Sequence, residues 1–224
     1  RFSGLWSRDI WYDEALDIAQ SERSLAVTAK EVQTPLHYFV VHFFALLGKN
    51  TFTLGLPSVL LGIASIYLVY LIGKKVFDAR IGVIAATLTS ISPMLIEFSQ
   101  QILHYSYFIF FTLAGLYFYF DVIQSFEKKK INTISIIFFF LISGLNFLTH
   151  PSSFMVFALE MSYAIPKIIL SGGLKKILSK SLLLAVPVVA ILALMTFRFG
   201  GEHGGYLQIL KDVSFSLNKP MSIG

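Results

Sequence analysis

The chain has 224 residues, of which 55% are hydrophobic and only 14% are charged, and its mean hydropathy is +0.72. Soluble domains carry about 25% charged residues, so one aqueous core could not bury this much apolar surface, and the composition predicts a membrane protein. The absence of cysteine excludes disulfides, thiol nucleophiles and thiolate metal sites. The net charge of +5 does not indicate a nucleic-acid partner, because the basic residues stand in short clusters between apolar runs.

The chain begins with a segment that is predicted to lie outside the membrane. Asp13 and Glu14 open a helical stretch that reaches about Lys30, and acidic residues are favourable at a helix N-terminus. The next apolar run, Leu36–Leu47, has only about a dozen residues, which is too few to span a bilayer. We therefore expect it to form a juxtamembrane helix along the external surface.

Six segments then reach or approach the roughly 20 apolar residues that a spanning helix needs. They are Thr53–Gly73, Ile81–Phe98, Tyr105–Gln124, Ile131–Thr149, Ser152–Leu170 and Ser181–Phe197. Joints rich in lysine and arginine alternate with joints poor in them, so the positive-inside rule places the basic joints, 74–80, 125–130 and 171–180, in the cytoplasm.

The predicted fold is therefore an all-α polytopic membrane protein, with all 224 residues belonging to one transmembrane domain. Residues 1–52 form an external loop with juxtamembrane helices, 53–197 form six transmembrane helices, and 198–224 form a second external loop. Because the first loop is external, we expect an earlier span before this sequence, and we expect a further C-terminal part after it.

Four short motifs follow one another in the first half of the chain. They are Trp11-Tyr12-Asp13-Glu14-Ala15, then Gln33-Thr34-Pro35-Leu36-His37-Tyr38, then Leu56-Pro57-Ser58, and last Ser92-Pro93 with Ser99-Gln100-Gln101 and Tyr105-Ser106. In this order, and with this topology, they resemble motifs of the GT-C glycosyltransferases. The resemblance is to the protein mannosyltransferase branch, which includes the lipid A aminoarabinose transferases. It covers roughly residues 5–125, and only hydropathy extends it further.

The resemblance implies a GT-C helical bundle that transfers a sugar from a polyprenyl-phosphate donor to an extracytoplasmic acceptor. Asp13 would be the catalytic base, and Glu14 would position Asp13 or the acceptor. Direct displacement would invert the anomeric centre. The expected partners are membrane lipids, the lipid-linked sugar, and a glycan, lipid or protein acceptor. The protein would be a multi-pass protein of the cell membrane, or of the endoplasmic reticulum with its site in the lumen if the source is eukaryotic.

Binding of the donor phosphate calls for cations or amide donors at the external surface. The candidates there are Arg8, His104, Tyr105 and Arg198. Where the family usually has arginine, this chain has Gly55 and Leu103, so a non-catalytic member that keeps the fold stays an alternative. No cofactor is predicted, and a divalent metal is neither indicated nor excluded.

Four further polar residues are weighed as members of the site. Gln100 belongs to the last motif, and Glu97 lies near the external end of its span, where it could equally face the interface. His150 precedes a proline at an external turn. Glu160 lies mid-span, where a carboxylate is costly, so it is either functional or a protonated structural residue. A transporter or flippase of lipid-linked sugar would explain Glu160 but not the ordered motifs.

Overall fold

The structure is a computed structural model that describes residues 9–32, 34–128, 130 and 132–170. These residues form nine α-helices, and the described part of the chain contains no strand. In chain order they are α1 (Tyr12–Ser21), α2 (Leu25–Glu31), α3 (Leu36–Ala45), α4 (Thr51–Val76), α5 (Ala79–Ile91), α6 (Pro93–Gln100), α7 (Tyr105–Glu127), α8 (Thr133–Phe147) and α9 (Ser153–Leu170).

The external segment contains three short helices. The predicted single stretch from Glu14 to about Lys30 is divided into α1 and α2, because Ser24 adopts an extended backbone and its side chain accepts a hydrogen bond from the Val27 N–H at 3.4 Å. The run Leu36–Leu47 does form a short helix, α3. Its placement along the membrane surface stays a prediction.

Two helices, α4 and α7, are long and apolar enough to cross a membrane, with 26 and 23 residues. The predicted continuous span Ile81–Phe98 is corrected to two helices, α5 and α6, which meet at an angle of 62°. The break lies at Ser92, because Pro93 lacks an N–H and disfavours the helical conformation of the residue before it.

The remaining apolar helices are shorter than the predicted spans. With 15 residues, α8 is about 22 Å long, which is less than the hydrocarbon core of a bilayer. By length and hydropathy the described residues provide two spans, or three if α5 and α6 together make one crossing. The predicted count of six is thus not confirmed, and the segment Ser181–Phe197, the loop 198–224 and the basic joint 171–180 lie outside the described residues.

Ion pairs hold the C-terminal ends of α4, α7 and α9 together at one end of the bundle, called here the lysine end. The Lys75 Nζ lies 2.9 Å from the Asp121 carboxylate, and the Lys167 Nζ lies 2.5 Å from the Glu127 carboxylate. The basic joints that follow α4 and α7 therefore lie at the same end, in agreement with the alternation of charge along the sequence. Their cytoplasmic placement stays a prediction.

Two clusters of buried apolar residues hold the helices of the bundle together. The larger one joins α7, α8 and α9 through residues that include Tyr119, Phe139 and Ala164. The smaller one packs Val41 of α3 against α4 and against Ile102, which lies between α6 and α7. Because Val41 and Ile102 are completely buried, α3 is held firmly beside the joint between α6 and α7.

Candidate active site

The first loop is attached to the joint between α6 and α7 by the buried side chain of Glu14. Its Oε1 accepts a hydrogen bond of 2.6 Å from the backbone N–H of Ile102, and its Oε2 accepts one of 3.1 Å from the N–H of Trp11. The second bond closes the N-terminus of α1 in the manner of a capping box. Glu14 is completely buried, and its role in positioning Asp13 or the acceptor stays a prediction.

Asp13 occupies the first turn of α1, directly before Glu14, and its side chain is exposed. Since Glu14 ties this turn to Ile102, Asp13 belongs to a segment that is attached to the α6–α7 joint. This arrangement brings together the first and last of the four sequence motifs, which are separated by 88 residues at the Glu14–Ile102 contact. An exposed carboxylate held beside a structured joint can reach an acceptor that approaches from outside.

A second attachment of α1 lies one turn further along, at Asp17. The Tyr38 hydroxyl donates a hydrogen bond of 2.9 Å to Asp17 Oδ1, and the His37 Nε2 lies 3.3 Å from Oδ2. Burial, followed by the nearby Asp17 charge, raises the pKa of Tyr38, so its hydroxyl stays a donor. Neither Asp17 nor His37 was selected from the sequence as a site candidate, although His37 belongs to the second motif. The spacing of four residues between Asp13 and Asp17, which places both on one face of a helix, was the available signal.

Three histidines meet beside these carboxylates and are called here the histidine cluster. The ring centroid of His104, which precedes α7, lies 6.4 Å from that of His37 on α3 and 5.0 Å from that of His150, with which it stacks. The backbone brings these elements together, because the Leu36 N–H donates to the Leu148 carbonyl at 3.0 Å. The structure therefore places His104 and His150, both candidates from the sequence, next to each other.

The histidine cluster is electrostatically neutral at His104 and His150 near pH 7. Burial, followed by repulsion from His37 and His150, lowers the pKa of His104 to about 4, although Asp17 opposes this shift. Burial also lowers the pKa of His150. The Ser152 N–H donates to His150 Nδ1 at 3.0 Å, which assigns the ring proton to Nε2. His104 can therefore offer an N–H to a phosphate, but it does not replace a missing arginine as a cation.

Other candidates stand at different distances from this cluster. The half-buried ring of Tyr105 stacks on Phe98, with centroids 4.8 Å apart, and lies 4.6 Å from that of His104. Half-buried Gln100 lies in the last turn of α6. On the same helix Glu97 is exposed and accepts a hydrogen bond from a glutamine side chain one turn later, which agrees with a carboxylate at the surface.

The structure also locates the two positions at which arginine was expected. Gly55 lies buried within α4, and Leu103 is buried within the α6–α7 joint. The candidates Arg8 and Arg198 lie outside the described residues.

Glu160 belongs to a different part of the bundle. It is buried on α9, where it lines a small polar cavity with Thr112, Asn146 and Ser153. The Asn146 side chain donates to the Thr112 hydroxyl at 3.0 Å. The structure therefore does not bring Glu160 together with Asp13 at the α6–α7 joint.

A larger and mostly apolar cavity of about 250 Å³ opens between α4, α5, α6 and α7. Its lining includes Gly62, Val69, Leu95, Phe108, Ile109 and Leu113. Phe108 also contacts the ring of His150, with centroids 5.1 Å apart, so the cavity begins beside the histidine cluster. Asp13 is not among the residues that line this cavity.

Within the described ranges, no group of three or more histidine, aspartate or glutamate side chains is arranged to hold a metal ion. The side chains that meet at this end of the bundle are instead suited to hydrogen bonding and proton transfer.

Comparison with known proteins gives one finding. The model of the family described as dolichyl-phosphate-mannose-protein mannosyltransferase matches residues 32–198, which is well over half of the chain. Searches of curated proteins and of solved structures found no match. The matched region begins just before α3 and includes the histidine cluster, whereas Asp13 and Glu14 precede it. The resemblance to the GT-C glycosyltransferases is thereby confirmed, and the chain belongs to the dolichyl-phosphate-mannose-protein mannosyltransferase family.

Proposed function

We propose that the protein transfers a sugar from a polyprenyl-phosphate donor to an extracytoplasmic glycan, lipid or protein acceptor, with inversion. Asp13 takes the proton from the acceptor, whose freed electron pair forms a bond to the anomeric carbon. The bond from that carbon to the phosphate oxygen breaks, and polyprenyl phosphate leaves with the bonding pair. A single displacement of this kind inverts the anomeric centre.

The observation that carries this proposal is the hydrogen bond between Glu14 and the backbone of Ile102. It holds the first turn of α1, and therefore Asp13, against the joint on which His104 and Tyr105 stand. A base for the acceptor and hydrogen-bond donors for the leaving phosphate then lie on neighbouring elements. Catalysis by positioning requires such an arrangement, since a small displacement of either group costs much of the rate.

The apolar cavity supports a lipid-borne donor rather than a soluble one. It begins at Phe108, next to the histidine cluster, and extends along α4 and α7, the two helices that can cross a membrane. The first isoprene units of the donor would lie in this cavity while the phosphate meets the α6–α7 joint. Burial of isoprene methylenes contributes to affinity without being sensitive to the sugar.

The test is the substitution Asp13→Asn, which keeps the size of the side chain and removes the base. We expect turnover to fall by about 10²–10⁴-fold, because this is the usual contribution of a general base, while donor binding stays nearly unchanged. The assay measures transfer from a panel of polyprenyl-phosphate sugars by full-length protein in nanodiscs. Asp9→Asn is the matched control, since Asp9 is also exposed but precedes α1. Full activity of Asp13→Asn would remove Asp13 from the mechanism.

A second candidate function is that of a non-catalytic family member that retains the fold as a membrane subunit. The specific observation in its favour is that Gly55 and Leu103, which stand where arginine was expected, are both buried. A wild-type protein that binds no polyprenyl-phosphate sugar, and an Asp13→Asn variant that retains its cellular role, would establish this alternative.

A further inference from the structure

Two imidazole rings from separate elements form a stacked pair at the base of the proposed site. His104 comes from the α6–α7 joint and His150 from the α8–α9 joint, and their ring centroids are 5.0 Å apart. Both residues are only partly buried, so an approaching ligand can contact them. The stack joins two elements that the sequence separates widely, and Phe108, which borders the apolar cavity, packs against it.

Behind the pair lies a group of buried polar atoms with no hydrogen-bond partner. His37 is completely buried, and neither of its ring nitrogens forms a hydrogen bond. Its Nε2 lies 3.3 Å from Asp17 Oδ2, but the two are misaligned and Oδ2 is also unsatisfied. The buried Tyr107 hydroxyl has no partner either, and its ring lies 5.0 Å from that of His37. Unsatisfied groups so close together indicate a site that a polar ligand completes.

The protonation of His104 depends on the groups that act on it. They are His37 on α3, His150 before α9, and Asp17 on α1, and the neighbouring side chains on α7 are the uncharged Tyr105 and Tyr107. Among the described residues, no lysine or arginine forms an ion pair or a ring contact with the histidine cluster. Among the described residues no fixed cation balances an anion that binds here, and such an anion therefore favours protonation of an imidazole beside it.

We propose that His104 and His150 together bind the phosphodiester of the lipid-linked donor, and that one proton is taken up at this pair when the donor binds. The inference rests on the proposed function, because it identifies the bound anion as the phosphodiester of the sugar donor. It gives the site a way to supply positive charge without the two arginines that the sequence lacks.

The proton goes to His104 rather than to His150. The Nδ1 of His150 already accepts the Ser152 N–H at 3.0 Å, and protonation would break that bond. His150 then donates its Nε2–H to the phosphate as a neutral ring. His104, which precedes α7 and makes no side-chain cap for it, is free to bind a proton and become a cation beside the phosphate.

The sign of the pH dependence follows from linkage. In the ligand-free protein the pKa of His104 is about 4, so its ring is neutral above about pH 5. A bound phosphodiester raises this value, so the complex holds more protons than the free protein. Affinity therefore rises as the pH falls, by up to about tenfold per pH unit for one proton taken up.

The experiment uses full-length protein in phosphatidylcholine nanodiscs and methyl polyprenyl phosphate as the probe. This diester carries one negative charge at every pH used, so its own titration cannot produce the effect. Dissociation constants are measured between about pH 5.5 and about pH 7.5, where an unperturbed histidine would itself titrate. We expect the wild-type protein to bind several-fold to tenfold more tightly per unit of acidification.

The variants His104→Gln and His150→Gln separate charge from hydrogen bonding, because glutamine donates but does not bind a proton. We expect His104→Gln to abolish the pH dependence, and His150→Gln to weaken binding while a pH dependence persists. His42→Gln is the control, since His42 contacts the Ser21 carbonyl on α1 and lies outside the cluster. Binding that is independent of pH in the wild type, or a full pH dependence in His104→Gln, would overturn the proposal.

Two further measurements make the result independent of variant folding and of the assay for transfer. Calorimetry of the wild-type protein in two buffers of different ionisation enthalpy reports proton uptake directly, and an uptake near zero contradicts the proposal.

A competition experiment distinguishes the donor from membrane lipid. Phosphatidylglycerol is also a phosphodiester, and its displacement of the probe at equal membrane concentration would show that His104 and His150 bind membrane lipid instead of the donor. Loss of transfer in Asp13→Asn with no proton uptake on donor binding would sustain the proposed function and reject this inference.

Discussion

The two ends of the helical bundle are joined by different chemistry. At the lysine end, Lys75 pairs with Asp121 and Lys167 with Glu127, so each cation has an anion within 2.9 Å. At the opposite end, the neutral ring of His104 lies near His37 and Asp17, and polar atoms of His37 and Asp17 lack hydrogen-bond partners. Satisfied ion pairs need no ligand to be stable, whereas unsatisfied buried groups are costly unless something binds there. From this difference we expect a structural role for the first end and function at the second.

Among the substitutions that test this difference between the two ends, we expect the largest effect at Glu14. Glu14→Ala removes both hydrogen bonds of the carboxylate and leaves the buried Ile102 N–H without this acceptor. Because Asp13 would then lose its fixed position, we expect turnover to fall by about 10²-fold, the usual consequence of misplacing a catalytic group by about 1 Å. The measurement is the transfer rate per folded molecule in nanodiscs.

The matched variants of this prediction distinguish position from charge. Glu14→Gln keeps an oxygen that can accept from Ile102, so its effect should be clearly smaller. Glu97→Gln changes an exposed glutamate of α6 and should leave the rate unchanged. A wild-type rate in Glu14→Ala would show that the position of α1 does not matter to catalysis.

At the lysine end, a substitution should alter stability but not turnover. Lys75→Met removes a cation that contacts Asp121, donates to the Tyr117 carbonyl at 3.1 Å and lies 3.0 Å from the Tyr117 ring centroid. The Asp121 carboxylate, partly shielded from solvent, loses its counterion, and we expect a loss of about 1–3 kcal/mol in the free energy of unfolding. Thermal unfolding in detergent measures the loss, with transfer assayed on the same samples.

The double variant Lys75→Met with Asp121→Asn provides the check, because removing both charges leaves no unpaired ion. It should recover part of the stability lost by Lys75→Met alone. If Lys75→Met lowers turnover of the folded protein as strongly as Glu14→Ala does, the division of roles between the two ends is wrong.

The sequence predicted the lysine end better than the functional end, and the reason is physical. Clusters of lysine between apolar runs are local signals. Pro93 is a local signal too, but the prediction of one continuous span Ile81–Phe98 did not take it into account. The contact between Glu14 and Ile102 joins residues 88 positions apart, and it depends on how α1 packs rather than on any local pattern. The same is true of the contact between Asp17 and His37, because Asp17 belongs to none of the four motifs and the second motif does not show what His37 contacts.

Motif comparison also gave an incomplete picture of the phosphate site. It drew attention to Leu103 as the place of a missing cation, but the structure buries that side chain in the joint. The sequence offered His104 and His150 as separate candidates, whereas their stacking at 5.0 Å depends on the packing of α7 against the α8–α9 joint. Hydropathy, for its part, counts apolar residues and does not register that α8 is too short to cross a bilayer unaided.

The smallest expected effect is a dependence of stability on pH, which we expect to arise at the histidine cluster and not at the lysine end. The pKa of His104 falls from its ordinary value of 6.5 to about 4 in the folded protein. Between these values the unfolded chain binds more protons than the folded one, so stability must rise with pH over this interval and be fully present above it. Acidification from about pH 7 to about pH 5 should therefore lower the unfolding temperature of the ligand-free protein by a few degrees.

The unfolding temperature of His104→Gln should fall less on acidification than that of the wild type, and the unfolding temperature of Lys75→Met should fall as much as that of the wild type. Equal pH slopes in His104→Gln and the wild type would mean that His104 is not the group that titrates, and the neutrality of this end would then need another explanation.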